Sequence, residues 1–124
     1  MPELARPLAR AEASLRSADI LLREGLYRDS VSRAYYAMFH AARALLSSKD
    51  VRPRTHGGVL RGFGRHFVQP GILERAFAGD LGFALQLRQR ADYEDDLAIT
   101  EASARDILDR ATRFIERAGQ LLRE

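Results

Sequence analysis

Ser32, Tyr36 and His40 recur every fourth residue inside VSRAYYAMFHAARALL, residues 31–46, so on a helix they stand one above another along one face. A histidine in such a column can serve as general base or acid, and an arginine beside it can steady a phosphate. Arg33 adjoins that column. A second candidate, Arg88, falls one step from Leu87 and one turn before Ala91 on the stripe Leu81, Ala84, Leu87, Ala91. Its stem therefore borders the core while its head reaches a cleft edge, a placement that suits a phosphate contact; Arg90 points further round. The plainer alternatives stay open: His40 and Tyr36 as packed, hydrogen-bonded structural residues, and Arg88 as an ion pair with Asp92 one turn on.

The element that carries the column is apolar nearly all round. Val31, Ala34, Tyr35, Met38, Ala42 and Leu45 make one stripe and Ala37, Ala41 and Ala44 a second of small residues, which marks a central helix with close neighbours. Before it, Leu4, Leu8, Ala11, Leu15, Ala18 and Leu22 keep one amphipathic stripe, Gly25 is a natural stop, and Asp29 is the expected N-cap of the central helix. The short link makes the pair an antiparallel hairpin. Residues 48–54 read as a loop. Thr55 should cap a glycine-rich third helix with Val59, Leu60, Phe63 and Phe67 inward. Its glycines lack Walker spacing and a preceding strand, so they suit close packing rather than a phosphate loop. After Pro70-Gly71, a short helix over Ile72, Leu73, Ala76 and Phe77 is expected, then a kink at Gly79 and a helix to about Asp92. Thr100 caps the last and most regular helix. No segment alternates with period two. The expected fold is all-α, a single domain over 1–124: an antiparallel up-and-down four-helix bundle with a short additional helix.

Composition narrows the function classes. With 46% hydrophobic and 30% charged residues the chain is an ordinary globular domain. It contains no cysteine and three histidines, which excludes disulfides and thiolate metal sites and leaves no cofactor and no catalytic metal expected. No apolar run approaches a membrane span and MPELARPLAR lacks a signal-peptide core, so a cytoplasmic protein without membrane association is expected. The net charge of +3 is uneven: residues 48–75 hold six basic against two acidic residues, and residues 91–109 seven acidic against one basic. One side should therefore be basic, either a solvated surface or a phosphate-attracting patch.

The segments SRAYYAMFHAARALL, VRPRTHGGVLRGFGRHFV and LRQRADYEDD together resemble the HEPN family, specifically its small stand-alone bacterial and archaeal members, from about Leu15 to Leu121. The resemblance implies a helical bundle that dimerises. In many members it also implies an endoribonuclease motif, an arginine followed after four to six residues by a histidine near the loop before the last helix. Here the equivalent place is Arg88-Gln89-Arg90-Ala91-Asp92-Tyr93, and no histidine follows Arg88. Formal matches elsewhere, Arg33 to His40 and Arg61 to His66, are expected by accident in a chain with 19 arginines in 124 residues. Other members bind nucleotides, a role for which a cleft with Arg33, Tyr36, Arg88 and Arg90 needs no histidine. Those arginines can equally pair with Asp92, Asp95 or Asp96 in a solvated network. Some members are toxins paired with a small nucleotidyltransferase that adds AMP to a tyrosine just after the motif, a position that corresponds to Tyr93. The resemblance thus implies a nucleotide- or RNA-phosphate-binding partner of a minimal nucleotidyltransferase. The alternatives are a metal-independent endoribonuclease toxin using His40 with Arg88, or a non-catalytic dimeric interaction module.

Overall fold

The structure is a computed structural model that describes residues 7–124. In chain order its elements are α1 (Ala9–Arg23), α2 (Tyr27–Ser47), α3 (His56–Phe63) running into a π-helical turn (Gly64–Val68), α4 (Arg75–Tyr93) and α5 (Glu101–Leu122). There is no strand among the described residues, and the fold is the expected all-α four-helix bundle with α3 as the short addition. The expected start of the first helix at Leu4 lies outside the described residues.

Central position follows from the two apolar stripes of α2. It packs against α1, α3, α4 and α5, and Val31, Ala34, Tyr35, Ala37, Met38, Ala41 and Ala42 are completely buried. Alanines on the α1 side let the backbones approach, and the buried Ser30 hydroxyl donates to the Ala18 carbonyl oxygen at 2.8 Å. That bond satisfies a polar group that burial would otherwise penalise. The hairpin turns at Gly25, whose φ of +78° is the left-handed conformation glycine tolerates.

Three local expectations need correction. Asp29 does not cap α2: the helix begins at Tyr27, with Leu26 as its cap residue, and Asp29 sits in the first turn. There its negative charge still favours the positive helix start. Ile72 and Leu73 form no helix, and α4 runs unbroken from Arg75 through Gly79 to Tyr93. Glu74 is extended before it, and the continuous backbone ladder outweighs the small propensity cost of one glycine. Phe67 is buried as expected, but in the π-helical turn rather than in α3 itself. The expected caps at the other ends are present: Thr55 Oγ1 accepts from the Gly58 N–H at 2.9 Å and Thr100 Oγ1 from Ser103 at 3.0 Å. The close approach of α3 to α2 is real at Gly62, where a Cβ would come within 3.3 Å of Leu46.

At the end of α2, Asp50 takes a left-handed φ of 62° and the Val51 N–H returns to the Leu46 carbonyl at 2.9 Å. This closes the helix and folds residues 51–54 back beside it.

Candidate functional site

Arg33, Tyr36, His40 and Arg43 recur at helical spacing along one face of α2, and Tyr36 is the point where other elements meet that face. The guanidinium carbon of Arg33 lies 4.8 Å from the Tyr36 ring centroid, and that of Arg88, arriving from α4, lies 5.1 Å from it. The His40 ring is 6.0 Å from Tyr36, and His56, the first residue of α3, is also 6.0 Å away. Both distances between arginine and ring are within cation–π range. His56 is fixed from below. It stacks on Phe39 at 4.4 Å and shares a hydrogen bond of 2.5 Å through Nδ1 with the hydroxyl of the fully buried Tyr35.

Arg88 is the half-buried charge of this cluster. Its Nη2 lies 3.2 Å from Asp92 Oδ2, while its Nε is buried and has no hydrogen-bond partner among the described residues. A buried donor left unpaired costs about 1–3 kcal/mol, more beside a charge, so this guanidinium is under-satisfied where it stands. Burial and nearby charges shift the titrating groups of the cluster. Burial first, then the charges of Arg10, Arg43 and Arg33, pulls His40 down to about 4. His56 is lowered by burial, then by Arg88 and Arg43. Tyr35 is raised by burial, with Tyr36 adding to the shift and Arg88 opposing it.

A family model described as HEPN domain matches residues 5–121. The chain belongs to the HEPN family. Among similar proteins, one of Methanocaldococcus jannaschii named "Putative toxin MJ0605" is 42% identical over 114 residues, 92% of this chain and 84% of that protein. A second protein of the same organism, "Putative toxin MJ0142", is 32% identical over 120 residues, 97% of this chain and 82% of its own length. A Gloeobacter violaceus protein, "UPF0332 protein glr0978", is 35% identical over 122 residues, covering 98% of this chain and 97% of that one.

In this HEPN chain the structure brings Arg33, Tyr36, His40 and Arg88 together and leaves Arg90 and Tyr93 apart. His40 and Arg88 both flank Tyr36, one from within α2 and the other from α4. Arg90 is exposed, pairs with Glu94 at 3.0 Å and borders a separate groove with Phe83, Leu87 and Leu97. Tyr93 ends α4 and is 85% exposed. Among the described residues no group of three or more His, Asp or Glu side chains is arranged to hold a metal ion, and no helix is long and apolar enough to cross a membrane.

Several contributors were not foreseen. Arg28 donates to the carbonyl oxygens of Ala91, Glu94, Asp95 and Leu97, tying the acidic loop and the end of α4 to the start of α2. No local pattern announces a contact across more than sixty residues. His56 and Phe39 enter through tertiary packing alone. Arg43 was legible, since it extends the Arg33, Tyr36, His40 spacing by one more turn. It lines a cleft of about 700 Å³ between α1, α2 and residues 51–54, together with Arg10, His40, Arg52 and Arg54.

Proposed function

We propose that this HEPN protein binds the phosphate of a nucleotide or RNA at Arg88, Arg33 and Tyr36, and acts as the partner of a minimal nucleotidyltransferase in a toxin–antitoxin-like module. The observation that carries the reading is the Arg88 guanidinium, held over Tyr36 with Asp92 as its one ion-pair partner among the described residues. Its terminal nitrogens, one of them shared with Asp92, are the donors a phosphate oxygen would take in charge-assisted hydrogen bonds. Arg33 over the same ring adds a second positive charge. Two relatives that bear the word toxin in their names support the toxin-like setting. In this reading the chain functions as a homodimer, and the exposed Tyr93 is the residue open to a partner nucleotidyltransferase. Its phenolic oxygen would bond the α-phosphorus of a nucleoside triphosphate, with pyrophosphate leaving. Arg90, paired and turned to another groove, is at most a peripheral contact.

A second reading, ribonuclease action with His40 and Arg88, draws on their shared contact with Tyr36. Proton transfer is most efficient when the group titrates near the working pH. A His40 pulled down to about 4 is a weak base at neutrality, so the site favours binding over cleavage. Titrating labelled single-stranded RNA and mononucleotides into the protein at low salt, with product analysis on the same samples, tests both. Binding without cleavage is the expected result; no binding of any of them refutes the proposal.

A further inference from the structure

The cleft between α1, α2 and residues 51–54 has a composition of its own. Arg10, Arg43, Arg52 and Arg54 line it with His40, and among the described residues neither aspartate nor glutamate does. Arg52 engages Asp50, whereas Arg10, Arg43 and Arg54 form no ion pair among the described residues. Three unneutralised guanidiniums around one cavity repel each other and focus a positive potential into it, which an anion would reverse. His40, pulled down to about 4, adds no charge at neutral pH, so the potential comes from arginine and persists across the physiological range. At about 700 Å³ the cleft is of ligand size. Its aromatic wall, Phe39, already carries His56 stacked at 4.4 Å and the Arg43 guanidinium carbon at 5.7 Å, so the ring is not free to receive a base. What the cleft offers is donors and positive charge without a stacking surface.

We propose that this cleft binds a run of consecutive phosphates through Arg10, Arg43 and Arg54, as a site separate from the single phosphate contact at Arg88. The inference deepens the phosphate-binding reading but rests on different residues. Consecutive phosphates have two sources, the triphosphate of a nucleotide or the backbone of a nucleic-acid strand. Arg33 and Arg43 are ten residues apart on α2, roughly 15 Å along the axis, so a ligand that fills both sites is longer than one nucleotide.

Calorimetric titration of the full chain with inorganic triphosphate, a nucleoside triphosphate and a short single-stranded RNA, all at low salt, tests this. Saturable binding of at least one of them is expected, weakened about tenfold or more by Arg10→Ala or Arg43→Ala, the loss of one charge-assisted contact. In the Arg88→Ala background inorganic triphosphate should still bind, and adding Arg43→Ala should still weaken that binding about tenfold, because the cleft uses different residues. Arg61→Ala removes an exposed arginine outside the cleft and controls for net charge. Arg10, Arg43 and Arg54 are exposed, so their variants should keep the wild-type melting temperature. Triphosphate binding identifies a free polyphosphate source, and cleft-dependent binding of RNA alone identifies a strand. The proposal is overturned if none of the three binds, or if Arg61→Ala weakens binding as much as Arg43→Ala. If Arg88→Ala abolishes binding and the cleft variants do not, the cleft proposal fails while the Arg88 reading stands.

Discussion

The guanidinium carbon of Arg88 lies 5.1 Å from the ring centroid of Tyr36, and its Nη2 lies 3.2 Å from Asp92 Oδ2. The ring fixes where the charge sits; the carboxylate competes for it. Asp92 is half-exposed, so Asp92→Asn should change stability by less than about 1 kcal/mol. By freeing the guanidinium, it should hold or raise affinity for RNA or nucleotide. Tyr36→Leu keeps apolar bulk but removes the π face, and should lower affinity by about 0.5–2 kcal/mol. Affinity measured beside thermal melting checks both. An affinity loss in Asp92→Asn would make the ion pair itself the functional unit.

Arg28 holds the end of α4 by donating to four carbonyl oxygens of residues 91–97. Arg28→Ala should cost about 1.5–3 kcal/mol, the range for hydrogen bonds to a charged group. Hydrogen exchange should accelerate through residues 94–99 while the α2 centre stays protected. Uniform acceleration would show that the contact supports the whole bundle rather than the loop.

Stability should depend on pH through His40. Its folded value, about 4, lies below the ordinary 6.5, so between these values the unfolded chain binds more protons than the native one. The contribution of neutral His40 is therefore intact above about 6.5 and is lost as pH falls towards 4. His56, also lowered, acts with the same sign. Melting temperatures followed from pH 7 to 4 should drop less in His40→Gln than in the wild type. Equal slopes would mean that burial does not hold His40 neutral.

The dimer is an expectation carried by the family resemblance. Ile20, Leu26, Phe83 and Tyr93 are large apolar or aromatic side chains exposed on the single chain. Light scattering at micromolar concentration should return twice the mass of one chain. A monomer mass would remove the dimer from the proposed function.

Much of this architecture is legible from periodicity. The stripes of α2 and α5 set their burial, and Thr55 and Thr100 announce two helix starts through the chemistry of capping. The failures are local: a glycine read as a kink at residue 79 and an aspartate read as a cap at 29, where continuous helix was available. For the site, spacing on α2 gave Arg33, Tyr36 and His40, and the stripe of α4 gave Arg88. His56, Arg28, Arg10 and Arg54 escaped because their positions beside the α2 face, the α4 end and the cleft arise only when distant segments meet.

On the proposed reading, Arg88 binds phosphate rather than merely pairing with Asp92. The most direct measurement is RNA or nucleotide affinity at low salt, with melting temperature taken on the same samples, for wild type, Arg88→Ala and Arg88→Lys. Lysine keeps the charge but lacks the paired donors of a guanidinium. Both variants should therefore bind more weakly by roughly 1–3 kcal/mol, with a smaller change in melting. Melting that falls while affinity is untouched, or a wild type that binds neither ligand, would leave Arg88 as a structural ion pair with Asp92.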